Sequence, residues 1–67
     1  MDRTISSREK EVLQLISQAY RTYEIADLLY ISPHTVVSHK KKLFKKLDVS
    51  NTAGMVRKGF ELGLLKV

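Results

Sequence analysis

The sequence predicts an all-α fold, a compact four-helix domain containing a helix-turn-helix. Three observations predict it. Apolar residues recur at steps of three and four along most of the 67-residue chain, and no stretch alternates as a half-buried strand does. Two segments open with strong helix-start signals, Ser6 with Glu9 and Ser32 with Pro33. Tyr30, Ile31 and Ser32 alone separate the second apolar segment from the third, so two short helices must cross there at a steep angle.

The first helix is predicted to start at Ser6. Ser6 and Glu9 form a capping box, each side chain satisfying an N–H that would otherwise lack a partner. Ile5, just ahead, is placed as a hydrophobic staple. Val12, Leu13, Ile16 and Ala19 recur at helical spacing, Glu11, Gln14 and Gln18 fill the other face, and the helix ends near Gln18. The second helix is short. Thr22 is its expected cap, Ile25, Ala26, Leu28 and Leu29 form its apolar side, and it ends near Tyr30 with Ile31 as a buried turn residue.

The third helix covers about residues 33–47. Ser32 is its N-cap, and Pro33 takes the first helical position, where no N–H is required. Thr35 stands at the third position, where the first helix has Glu9. The missing carboxylate suits an anion near this helix end, although threonine caps acceptably without any such meaning. Ser50 or Asn51 caps the fourth helix, whose larger apolar residues are Met55, Val56, Phe60 and Leu62. Gly59 inside it costs about 1 kcal/mol relative to alanine and implies a close helix–helix approach. Gly63 is placed as a stop, and Leu64, Leu65 and Val67 are expected to fold back onto the core. With no repeat, linker or low-complexity stretch, residues 1–67 read as a single domain.

Composition narrows the function. A content of 43% hydrophobic and 28% charged residues is that of a globular domain. No apolar run is long enough to span a membrane, and the N-terminus has no apolar core like that of a signal peptide. The absence of cysteine excludes a disulfide framework and a thiolate zinc site, and fits a reducing, cytoplasmic setting. No catalytic dyad, triad or phosphate loop is visible, so no enzyme, cofactor or small-molecule ligand is expected. The net charge of +5 is concentrated. No acid occurs between Asp27 and Asp48, and that gap holds Lys40, Lys41, Lys42, Lys45 and Lys46; the remaining bases balance the acids. Such a block is an electrostatic footprint for a polyanion, with a solvated lysine-rich helix face as the alternative.

At about 100° per residue the third helix divides by face. Val36, His39, Leu43 and Leu47 form a core stripe, and His34, Ser38, Lys41 and Lys45 the opposite one. Val37 and Phe44 lie on one flank, Lys42 and Lys46 on the other. A helix entering the major groove of B-DNA needs this division, with donors for base edges and cations for phosphates. His34 and His39 are five apart, share no face and have no nearby ligand to complete a metal site. His39 is expected to be a buried or half-buried histidine bonded to backbone, with a phosphate contact as the alternative; His34 is placed to approach the DNA backbone. Tyr20, Tyr23 and Tyr30 are expected to pack rather than to form a stacking platform.

The motifs resemble the LuxR-type DNA-binding domain, also called the GerE or FixJ/NarL type. Ser-Ser-Arg-Glu-Lys-Glu-Val-Leu-Gln-Leu-Ile at 6–16, Glu-Ile-Ala at 24–26 and Ile-Ser-Pro-His-Thr-Val-Val-Ser-His at 31–39 carry the resemblance, with Lys-Lys-Leu-Asp-Val at 45–49 and Glu-Leu-Gly-Leu-Leu at 61–65. The resemblance covers nearly the whole chain. It implies a four-helix fold, a bacterial origin and sequence-specific binding to promoter DNA, usually as a homodimer joined through the fourth helix, where Ala53, Met55 and Leu62 are the candidate contacts. Carried over by position, base reading falls to Val37, Ser38 and Lys41. Phosphate contacts fall to Thr22, Tyr23, Thr35 and Lys42, to which the outer stripe adds His34 and Lys45. Several departures from the family pattern matter. Val37 replaces a usual Lys or Arg, which turns a donor into an apolar contact with a thymine methyl. Tyr23 replaces a common Lys, Arg21 and Thr22 replace a usual Ser-Asn pair, and Ala19 stands where Gly is frequent. The competing reading is a basic helical interaction module that docks on an acidic protein partner.

Overall fold

Four helices follow the predicted segments: α1 (Ser7–Ser17), α2 (Thr22–Leu29), α3 (Pro33–Leu47) and α4 (Thr52–Glu61). The computed structural model describes residues 4–66; Val67, expected on the core, lies outside them. The capping box of α1 forms as predicted. Glu9 N–H donates to Ser6 Oγ at 3.1 Å, and Ser6 N–H donates to Glu9 Oε1 at 2.9 Å. Ser32 caps α3 with Pro33 in its first turn, and Asn51, rather than Ser50, caps α4 by accepting from Gly54 N–H at 2.7 Å.

The start of α2 differs from the expectation. Arg21, not Thr22, is the N-cap, in extended backbone at φ −83° and ψ 161°. Glu24 explains the displacement, because its carboxylate reaches back three residues to accept the Arg21 N–H at 2.7 Å. Thr22 is therefore a half-buried residue of the first turn.

All four helices stop in the same way. A residue with positive φ follows each one: Ala19 at 69°, Tyr30 at 57°, Asp48 at 55° and Gly63 at 73°. The next N–H then closes a six-residue loop back into the helix, as in Tyr20 to Leu15 O at 3.1 Å and Ile31 to Ala26 O at 3.0 Å. Only at Gly63 is this backbone free of Cβ strain. Ala19 thus lies beyond α1, exposed, and does not extend its apolar face as the spacing suggested. The left-handed Tyr30 turns the chain from α2 into α3.

α3 packs against each of the other three helices, and α1 against α2 and α4. The core is Val12, Leu13 and Ile16 of α1, Ile25 and Ala26 of α2, Val36, Leu43 and Leu47 of α3, Met55 of α4, and Leu65 beyond it. Ile5 and Ile31 are partly buried against this core. Gly59 permits the approach of α4: a Cβ there would lie 2.7 Å from Leu65 Cδ1 and 3.1 Å from Leu13 Cδ2. Among the described residues no helix is long and apolar enough to cross a membrane.

Candidate nucleic-acid interface

Pro33 and the Ser32 cap set the first turn of α3, and burial of Val36, Leu43 and Leu47 sets its rotation. His34, Thr35, Val37, Ser38, Lys41, Lys42 and Lys45 are thereby all exposed. Val37 is 39% exposed, so a methyl-bearing surface stands among the polar groups of the stripe. No acid occurs anywhere on α3. The positive end of the helix dipole at its start and the lysine heads further along make the exposed surface attractive to anions. Thr35 N–H donates to Ser32 Oγ at 3.1 Å, and the Thr35 and Ser32 hydroxyls lie 3.0 Å apart. That contact fixes the Thr35 side chain at the helix entrance while leaving it open to solvent.

Lys46 departs from the lysine block. Its ammonium lies 2.8 Å from Glu9 Oε1 and 2.9 Å from the Thr4 carbonyl. Glu9 is only 3% exposed. Burial alone raises its carboxyl, but the Lys46 ammonium and the Ser6 N–H outweigh burial and hold it below its ordinary value of 4.5. Lys46 is thus a tie between α3 and the start of α1, not a free cation beside Lys42. The pair was missed in the sequence, although a signal exists. Glu9 precedes Val12 and Leu13 by three and four residues, and Lys46 follows Leu43 by three, so both adjoin core stripes.

His39 is half-buried, but its Nδ1 is buried and has no hydrogen-bond partner among the described residues, so the expected bond to backbone is absent at that atom. The tyrosines correct the expectation of packing. Tyr30 is 95% exposed, and Tyr20 and Tyr23 are exposed as well. Tyr23 carries its hydroxyl in the first turn of α2, beside Thr22. On α4, Ala53 is exposed and Leu62 is exposed just past the last turn. Met55 is wholly buried, which removes it from any surface a partner could touch. Met55 belongs instead to the core that all four helices share.

Comparison with known proteins agrees with this architecture. The family described as bacterial regulatory proteins, luxR family, matches residues 3–58. The response regulatory protein YgeK of Escherichia coli (strain K12) is 33% identical over 66 residues, covering 98% of this chain and 45% of YgeK. A solved structure of the transcription factor GerE superposes with a TM-score of 0.88 at 32% identity, covering 98% of this chain and 97% of that one. The response regulator ChrA of a heme-sensing two-component system superposes at 0.91 with 30% identity, covering 96% of this chain and 32% of ChrA. The chain spans less than half the length of the curated relatives it matches.

Proposed function

Because the chain belongs to the luxR family of bacterial regulatory proteins and is a helix-turn-helix DNA-binding domain of that family, we propose that residues 1–67 act as one module that reads duplex DNA through α3. One observation carries the assignment of roles: the acid-free stripe of α3 lies exposed opposite its buried stripe. The B-DNA major groove is about 12 Å wide and admits one helix. With α3 in it, Lys41 donates to guanine O6 and N7, Ser38 to a neighbouring base edge, and Val37 packs on a thymine methyl. Lys42, Lys45, His34 and Thr35, with Thr22 and Tyr23 of α2, hold phosphates on either side and set the register. The module works within a cytoplasmic bacterial transcription regulator, with no cofactor or small-molecule ligand of its own.

Two copies bind two inverted half-sites about one helical turn apart or a little less. One short helix reads only a few base pairs, too few to stand out against a genome of competing sites. The exposed Ala53 and Leu62 of α4 supply the meeting surface. So small a surface falls short of a stable interface in free solution, and the isolated domain is monomeric until DNA brings two copies together.

Fluorescence titration of a selected duplex, a random duplex and a single half-site tests both parts. Lys41→Ala is expected to lose about 1–3 kcal/mol on the selected duplex and to relax preference at one base position. Equal losses on selected and random duplexes would reduce Lys41 to a phosphate contact. Mass measurement should find two domains on the full inverted repeat, filled cooperatively. Saturation by one domain, or indifference to moving the half-sites half a turn apart, contradicts the dimer.

A further inference from the structure

α2 is the wrong charge for its place. In a helix-turn-helix the helix before the reader crosses the DNA backbone. Here that helix carries Glu24 and Asp27 and no base. Like charge close to a phosphate is repelled even in water. Some cation on this element has to offset them, and Arg21 is the only one between the end of α1 and the start of α3.

Arg21 is also a poor N-cap. Serine, threonine, asparagine or aspartate at this position accepts an N–H of the first turn, and losing that contact is destabilising. The Arg21 side chain makes no capping hydrogen bond. Fold stability therefore gives no reason for arginine there, and a residue that breaks a local rule without a local gain points to function. The other described arginines are engaged on the protein itself. Arg8 pairs with Glu11 at 3.4 Å and Arg57 with Glu61 at 3.2 Å. The exposed Arg21 guanidinium has no ion pair or hydrogen bond among the described residues, while its backbone N–H is held by Glu24. Its anchor is fixed and its fork is open.

We propose that Arg21 clamps a phosphate of the DNA backbone where α2 crosses it. The planar fork takes two phosphate oxygens at once, which a lysine or the neighbouring Tyr23 hydroxyl cannot do. This contact gives affinity and register but no base preference. It rests on the reading of the chain as a duplex-DNA binder.

Arg21→Ser separates this role from a structural one, because it improves the cap while removing the charge. Thermal unfolding should show a melting temperature unchanged or raised by about 4–8 °C. DNA titrations between about 50 and 200 mM salt should show weaker binding by roughly tenfold, equally on selected and random duplexes, with the log–log salt slope shallower by about 0.9. Arg21→Lys should keep the slope and lose roughly two- to threefold in affinity, the loss of the fork. Wild-type affinity and slope in Arg21→Ser, alongside a reduced slope in Lys42→Ala, would overturn the clamp and leave the DNA reading standing. A wild-type domain that binds neither duplex at about 50 mM salt would instead sink the DNA reading itself.

Discussion

Lys46→Met should cost stability and leave DNA binding intact, although Lys46 belongs to the same run of lysines as Lys42 and Lys45. The substitution keeps an apolar stem against the core and removes only the ammonium. Glu9, 3% exposed, then keeps its charge with only the Ser6 N–H to compensate it. Breaking a buried ion pair on one side costs about 3–5 kcal/mol. The Lys46 side chain is 33% exposed, so water already shares its solvation and the expected loss falls to about 2 kcal/mol. For a domain of this size that is a fall of about 8–16 °C in melting temperature. Circular dichroism at neutral pH measures it. A salt titration of DNA binding, run well below the new midpoint, should give the wild-type slope, whereas Lys42→Ala and Lys45→Ala should each lower the slope by about one. The double variant Glu9→Gln/Lys46→Met should regain part of the loss, since no charge is then stranded. A melting temperature within about 2 °C of wild type would refute the reasoning about the tie. A slope reduced as in Lys42→Ala would refute the reasoning about its separation from DNA.

Three further outcomes are expected. Ala19→Gly should raise stability by about 1 kcal/mol, because the left-handed backbone at φ 69° penalises a Cβ; unfolding in denaturant measures it, and no gain would contradict the strain. Glu9→Gln should lower stability at neutral pH but flatten its decline in acid. The folded carboxyl sits below 4.5, so its contribution is full above that value and is lost as pH falls through the lower folded one; parallel stability–pH curves for the two proteins would count against this. Val37→Lys should change the DNA sequence that is preferred, since a donor replaces an apolar contact at an exposed position of α3, and an identical preferred motif would mean that position 37 reads no base.

Much of the fold was legible because its signals are local. Ser6 with Glu9, and Ser32 with Pro33, announce two helix starts within four residues each. The spacing of Val36, Leu43 and Leu47 fixes which side of α3 faces outward, and so the candidate site on the other side. What escaped depends on competition or on distant contacts. Thr22 is a better cap than Arg21 by preference alone, but Glu24 accepts the Arg21 N–H and moves the start by one residue. Ala19 continues the apolar spacing of α1, yet the chain must reverse there, and the turn overrides the spacing. Met55 was placed at a partner surface because helical spacing on α4 cannot tell inside from outside when small residues line both flanks. Lys46 reads as one more base in a run, and only the arrival of α1 beside α3, which brings together residues 37 positions apart in the sequence, converts it to a structural tie. Tyr30 carries a bulky ring to nearly full exposure because its backbone position in the turn decides its direction.

The central claim is that Val37, Ser38 and Lys41 on the exposed side of α3 read base sequence while Lys42 and Lys45 only hold phosphates. Selection of bound sequences from a random duplex pool tests it directly, run in parallel on the wild-type domain and on a variant with Val37, Ser38 and Lys41 all changed to alanine. The wild type should yield an enriched inverted motif, and the variant continued salt-sensitive binding with no motif. The same motif from both proteins, or none from the wild type, would contradict it.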